Sequence, residues 1–382
     1  MKSFIYDHSK EMLEMLKKLV NTDSGSYDKE GVDKVGQLLM EHFNNLGFIA
    51  DVHENEKLGN NIVLRHQDAR RPKFLIVAHM DTVFPKGTVD ERPFSMEDGF
   101  AYGPGVIDMK ASHVMLYYAM KALMEENVPA YKDVEIIFNS DEEIGTIGSR
   151  KLIEEKAKDK EYVLVLEPAR PSGSFVSSRR GVGQYQLEIR GKSAHSGMNP
   201  EDGISAIEEM AHKIIELKTL EDPENGLNIN IGLIEGGTSV NTVAPIAKAG
   251  IDVRISTQEQ AAEIDEKIQK VCNESTVTGA ELTLTGGINR PPMEFASSVG
   301  ELVDIVLKEA ESLGIEIDHI ASGGGSDASF TAAMGIPTID GMGPVGGKQH
   351  TEREYLVIDT LMERTTLFIN VVRRLHKMYV NE

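Results

Sequence analysis

The chain has 382 residues and a mass of 42.0 kDa, which at roughly 150 residues per domain predicts two or three domains. Hydrophobic residues make up 40% and charged residues 26%, ordinary globular usage that excludes a disordered chain. With 40 Lys and Arg against 61 Asp and Glu, the net charge is -21 and the pI about 5.0. Such a field repels phosphate backbones and anionic bilayers, so nucleic acid and membrane are excluded as partners. The longest uninterrupted apolar run, 114–120, falls well short of the roughly 20 residues needed to span a bilayer. Phe4-Ile5-Tyr6 is succeeded at once by Asp7 and His8; no signal-peptide apolar region forms, and a cytoplasmic location is expected. The single cysteine, Cys272, rules out internal disulfides and thiolate zinc sites, so any metal must be held by His and carboxylates.

In chain order, 9–20 and 31–46 carry apolar residues at helical spacing, the second stopping at Gly47. Three short apolar runs, 74–78, 134–138 and 162–166, are rich in β-branched or aromatic residues and are expected to be buried parallel strands. Helical stretches at 111–126 and 148–156 alternate with them, the rhythm of a doubly wound α/β sheet. From about Gly181 the texture changes. Alternation at 185–189, a helix at 204–217, alternation at 227–234, a strand at 244–255, a helix at 259–272 and a strand at 281–285 spell β-α-β-β-α-β. That order suits a small antiparallel, ferredoxin-like sheet with two helices on one face. Pro291-Pro292 marks a boundary, beyond which a helix at 298–313, a strand at 336–340 and a helix at 359–379 resume the first domain. The expected fold class is therefore α/β, a doubly wound, mostly parallel domain at 1–179 plus 292–382 with an inserted α+β domain at 180–291.

Ligands in open α/β sheets bind beyond the carboxyl ends of the strands. The residues just past the three expected strands are alike in kind: His79-Met80-Asp81 after the first, Asp141-Glu142-Glu143 after the second, Glu167 after the third. Asp108, just before a helix, and His350, beyond the last strand, add to them. Singly, a His-x-Asp is an ordinary surface turn, and acids before a helix favour its dipole. Gathered at one edge they would repel one another unless cations compensated them, and two imidazoles with several carboxylates suit zinc or a similar divalent ion. Gly191-Lys192-Ser193 is no phosphate cradle, because position 186 is Gln where a Walker A motif needs Gly.

The chain resembles the M20 family of metallopeptidases, in its glutamate carboxypeptidase branch. The segments that carry the likeness are Ala78-His79-Met80-Asp81-Thr82-Val83, Tyr102-Gly103-Pro104-Gly105 through Asp108-Met109-Lys110, Asp141-Glu142-Glu143-Ile144-Gly145 and Leu166-Glu167-Pro168. They continue with Gly191 through Gly197, Ser322 through Asp327, and His350-Thr351 with Glu354-Tyr355 beyond it. The resemblance implies two Zn2+ per subunit, with Co2+ or Mn2+ as alternatives. Asp108 would bridge the ions, with His79 and Glu167 on one and Glu143 and His350 on the other. It implies Glu142 as the general base toward a metal-bridging water, and Asp81 as an acid on the far ring nitrogen of His79, fixing its tautomer. It further implies a homodimer through the inserted lid and dimerisation domain, with His195 polarising the scissile carbonyl in the partner's site and Asn241 contacting substrate there. Arg290 would bind the substrate's terminal carboxylate, a task suited to a guanidinium's paired donors, with Arg254 a lesser candidate for substrate contact. The activity implied is hydrolysis of the amide before a C-terminal amino acid, the substrate being an N-acyl amino acid or short peptide, with Glu as one candidate terminal residue. The alternatives are an N-acyl amino acid deacylase of deacetylase or desuccinylase type, an aminotripeptidase, and a binding protein that has lost catalysis. Chelator-sensitive cleavage would exclude the last.

Overall fold

The structure, a computed structural model, describes residues 2–380. It divides into two compact units, Met1–Ser178 with Phe295–Ala321 and Phe330–Glu382, and Arg179–Glu294 with Ser322–Ser329. From sequence, 322–329 is expected with the first domain. In the structure it packs with the second unit, where Arg179 donates to the Gly324 carbonyl (2.9 Å) and Arg290 pairs with Asp327 (3.2 Å).

The first unit is built on a six-stranded sheet. Its strands are Phe48–His53 (β1), Asn61–His66 (β2), Phe74–His79 (β3), Val134–Asn139 (β4), Tyr162–Val165 (β5) and the short Thr338–Ile339, in the order β1-β2-β4-β3-β5 and then Thr338–Ile339. β3 is parallel to β4 and β5, and Thr338–Ile339 is parallel to β5. β1 and β2 run antiparallel at one side. Every residue of β3 and β4 is buried, as continuous apolar runs covered on both faces require. Of the fifteen residues of Ala111–Glu125, twelve are buried, so this helix is apolar nearly all round and sits in the core. Ser9–Val20 instead buries one stripe, Met12, Met15, Leu16, Leu19 and Val20, at the three-and-four spacing of a surface helix; truncating Leu16 to Ala would cost about 2–5 kcal/mol. Because β3, β4, β5 and Thr338–Ile339 are parallel, their carboxyl ends lie on one edge, and the connections leaving them share it.

The second unit has an antiparallel sheet of Gly181–Arg190 (β6), Asn228–Gly236 (β7), Ile246–Ile255 (β8) and Glu281–Arg290 (β9), in the order β7-β8-β6-β9. The helices Ala206–Lys218 and Gln258–Asn273 complete the β-α-β-β-α-β order. Tyr185, Leu187 and Ile189 of β6 point into the core between more exposed neighbours, the two-residue period of a sheet with one covered face. Gln258–Asn273 starts with a reciprocal cap, the Gln260 amide donating to Thr257 Oγ1 (3.1 Å) and the Thr257 amide to Gln260 Oε1 (3.2 Å). Among the described residues no helix is long and apolar enough to cross a membrane.

Candidate active site

The site is assembled at the carboxyl edge of the first unit's parallel strands. β3 ends at His79, a buried imidazole whose Nδ1 lies 2.9 Å from the main-chain oxygen of Asp81. Donation there leaves Nε2 as the ring nitrogen facing the cluster, the one a metal ion would take once its proton is displaced. The Asp81 carboxylate is 3.5 Å from Nδ1, and its shorter contacts lie elsewhere. It accepts from Ser26 Oγ (2.7 Å) and from the main-chain amides of Glu142 (3.1 Å) and Glu143 (3.2 Å). The Asp81 carboxylate thus lies within reach of the imidazole and also anchors the loop after β4, while its main-chain oxygen makes the shorter contact to Nδ1.

Asp108 lies in the turn Val106–Lys110, entered through Gly105 at φ 71°. Only glycine fits there, since a Cβ would stand 2.6 Å from Thr82 Cγ2. The turn is held from far along the chain by the buried Glu354, whose carboxylate accepts from the amides of Gly105 (3.1 Å), Ile107 (2.9 Å) and Asp108 (3.0 Å). So oriented, the Asp108 carboxylate divides between two imidazoles, Oδ1 3.1 Å from His79 Nε2 and Oδ2 3.3 Å from His350 Nε2. Glu167, after β5, lies 3.6 Å from His79 Nε2, and Glu143, after β4, 3.1 Å from His350 Nε2. Glu142 offers an oxygen within 4.8 Å of ligand atoms of both His79 and Glu167. The structure therefore brings together all six residues expected here from sequence: His79, Asp108, Glu142, Glu143, Glu167 and His350.

The electrostatics of the cluster are those of anions held together. Burial and the neighbouring Asp108 push Glu167 well above the usual carboxylate range, and burial raises Glu143 as well. Burial opposes charge on Asp108 too, but the hydrogen bonds from His350 and His79 outweigh it and hold that carboxyl well below the ordinary range. Asp108 and Glu143 in turn push His350 up to about 10. His79 rises well above its ordinary value although burial works against its charge, because Asp108, Asp81 and Glu167 surround it. Protons on imidazole thus supply the compensating charge, and a divalent cation would displace them. The donor set fits such an ion: nitrogen and carboxylate oxygen only, with Glu143 Oε1 buried and without a hydrogen-bond partner.

The other expected site residues belong to the second unit. His195 is exposed and forms an antiparallel bridge with Thr242, and the Ser196 amide donates to the Asn241 carbonyl at 3.0 Å, so the His195 and Asn241 loops are laced together. The Gly197 amide donates to His195 Nδ1 (3.2 Å), which in the neutral ring leaves Nε2 carrying the proton as an outward donor. Arg290 is buried against Asp327 at 3.2 Å. Arg254 is engaged by Asp252 through two bonds of 2.8 and 3.0 Å.

Residues 75–374 match the model of peptidase family M20/M25/M40. Carboxypeptidase G2 of Pseudomonas sp. (strain RS-16) is 31% identical over 366 residues, 94% of this chain and 88% of the relative. The chain belongs to this family. It is a hydrolase of the M20 metallopeptidase type. Succinyl-diaminopimelate desuccinylase of Thioalkalivibrio sulfidiphilus is 24% identical over 384 residues, 96% of this chain and 99% of that one. Among solved structures, aminopeptidase PepT from Bacillus cereus superposes with a TM-score of 0.80 at 25% identity, over 96% of this chain and 99% of that one.

Two supports of the cluster and one buried residue of the second unit have no expected role from sequence. Glu354 stands in a segment that resembles the family, but its hydrogen bonds reach residues nearly 250 positions earlier. Ser26 lies in a polar turn with nothing to distinguish it. Arg179, buried and bonded to Gly324 and Ser322, sits in an Arg-Arg pair that carries no spacing signal.

Proposed function

We propose that this M20-family chain is a dinuclear metallohydrolase that cleaves the amide joining an acyl group to a C-terminal amino acid. The observation that carries the reading is Asp108, whose two carboxylate oxygens each face a different imidazole. A bridging ligand needs that arrangement. His79 and Glu167 would hold one ion, and Glu143 and His350 the other. Zinc fits these ligands, and cobalt or manganese can occupy the same set. Bound there, the ions would supply Lewis acidity, polarising a carbonyl and making a water acidic near neutral pH.

Glu142 is the general base: it takes a proton from the attacking water as the new C–O bond forms, then gives it to the leaving nitrogen as the C–N bond breaks. Asp81 fixes the amides of Glu142 and Glu143 and so aims both side chains. His195, with its Nε2 proton outward, donates to the developing oxyanion in an assembled homodimer, with Asn241 beside it. Arg290 receives the terminal carboxylate, and Arg254 is a secondary contact. The dimer reading is supported by β7, an edge strand that exposes Leu233 (70%) and Ile234 (60%). Ile207 and Ile215 of the helix Ala206–Lys218 are exposed as well. A bare apolar edge of this kind is ordinarily covered.

A second reading, removal of an N-terminal residue from a short peptide, is favoured by the likeness to aminopeptidase PepT. A panel of N-acyl amino acids and free-amino dipeptides and tripeptides, assayed by mass spectrometry with and without chelator, separates the two. Chelator-sensitive cleavage that tracks the C-terminal residue and accepts blocked amino groups supports the carboxypeptidase reading. An absolute need for a free amino group overturns it.

A further inference from the structure

Beside the ligand cluster the first unit holds a cavity of about 500 Å³ that shares Glu143 as part of its wall. The rest of the lining comes from 25–28, 82–86 and Ile144. The two longer segments are laced by their backbones, the Thr82 amide donating to the Ser24 carbonyl (2.8 Å) and the Ser26 amide to the Thr82 carbonyl (3.1 Å). Their approach is so close that a Cβ on Gly25 would meet the Phe84 carbonyl oxygen at 2.4 Å. The cavity is thus preformed rather than a gap between mobile loops. Its walls are mainly apolar, from Tyr27, Val83, Phe84, Pro85 and Ile144, and Tyr27 and Val83 are left 81% and 39% exposed. Large apolar surface lining a concavity next to a polar cluster is the usual construction of a small-molecule subsite, and this volume lies in the usual range of about 300–1,000 Å³.

The charge pattern indicates which half of a substrate enters. The lining's lysine, Lys86, already faces Asp28 (3.5 Å) and Glu30 (3.2 Å), so the cavity has no surplus positive charge for a carboxylate. We propose that it is the subsite for the acyl half of the substrate and takes a branched or aromatic apolar group, while the carboxylate-bearing half binds elsewhere. This rests on the hydrolase reading above and adds to it the class of acyl group preferred. Wall area and volume together set the selectivity: a leucyl or phenyl group gains contact with several side chains, whereas an acetyl methyl leaves most of the wall wet.

Two measurements test this, the second of them without turnover. In the first, kcat/KM is compared for N-phenylacetyl and N-acetyl derivatives of one amino acid, in the wild type, in Val83→Trp, which fills the cavity, and in Tyr27→Ala, which strips an exposed wall and leaves the core intact. The wild type should favour phenylacetyl by about tenfold or more, the scale of hydrophobic pocket discrimination, and both variants should lower that ratio by a similar factor. In the second, Phe84→Trp introduces the sole tryptophan of a chain that has none. Phenylacetamide should shift its emission saturably, and acetamide should not. A saturable shift without turnover of any substrate keeps the subsite and overturns the hydrolase reading. Turnover whose acyl preference is unmoved by Val83→Trp and Tyr27→Ala, or a tryptophan blind to phenylacetamide, overturns the subsite.

Discussion

Replacing Asp81 by Asn isolates what its carboxylate does. The native group accepts three donors with two oxygens: the Glu142 amide on Oδ1, and Ser26 Oγ and the Glu143 amide on Oδ2. An asparagine of the same shape keeps one oxygen and turns its NH2 toward either the Glu142 or the Glu143 amide, so at least one buried N–H faces another donor. Losing one bond to a charged acceptor and stranding its donor should cost about 2–4 kcal/mol. In a unit of this size that is a drop in Tm of about 4–12 °C, to be read on metal-free protein so that weakened ion binding does not mask it. The same change releases the loop that carries Glu142 and Glu143. A displacement near 1 Å can cost on the order of 100-fold in rate, so kcat should fall by about that factor. Metal affinity should weaken by about 10–100-fold. Ser26→Ala removes the short bond to Asp81 and a long one to the Thr82 carbonyl but strands no buried amide, and should cost about 1 kcal/mol, with a correspondingly smaller effect on rate. Unchanged melting and unchanged kcat in Asp81→Asn would refute the role assigned to the carboxylate.

The same geometry carries three further outcomes. In metal-free protein His350 is raised to about 10, so the stability it contributes is present below its unfolded pKa of about 6.5 and is lost as pH rises through 10. Glu143 and Glu167 are also raised and act in the same direction. Thermal melts should therefore show stability falling from about pH 6 to pH 8, above which Lys110, lowered to about 8 by burial, acts in the opposite direction, and saturating zinc should abolish that slope. Gly105→Ala places a Cβ against Thr82 at a φ of 71° and should destabilise the protein by about 1–3 kcal/mol in denaturant titration. Leu233→Asp with Ile234→Asp on β7 should shift the mass in analytical ultracentrifugation from dimer to monomer, and lower turnover with it if His195 acts across the interface. An unchanged mass would contradict that use of the edge.

The candidate cluster is legible in sequence because its residues share one physical signature. His79, Glu143 and Glu167 each stand just past a buried apolar run or at its carboxyl end, and parallel strands gather such ends on one edge. Asp108 and His350 need the additional spacing of the motifs. Less can be read where a contact joins segments that carry no common pattern. The Glu354 carboxylate and the turn it holds are nearly 250 residues apart, and hydrophobic periodicity says nothing of such a pair. The segment Ser322–Ser329 illustrates the same limit: its glycines mark a turn, but its membership in the second unit comes from bonds to Arg179 and Arg290 that only the folded chain brings near. β1 is absent from the expected elements because it alternates weakly at the sheet's edge and exposes Ile49 and Val52, and β2 because its apolar run is only Ile62-Val63-Leu64 between polar residues, although all of β2 but Arg65 is buried. For Asp81, sequence locates the right acid beside the right histidine, yet its bond to the loop after β4 depends on how two strands lie side by side.

If the site is dinuclear and its base, Glu142, is not a ligand, Glu142→Gln should separate metal binding from turnover. Metal content and turnover should be measured on the same preparation. Two equivalents of divalent ion retained per chain, with kcat lowered by about 10²–10⁴-fold, is the predicted result. Wild-type turnover in the variant, or loss of an ion with the substitution, would contradict it, the latter by making Glu142 a ligand with His79 and Glu167.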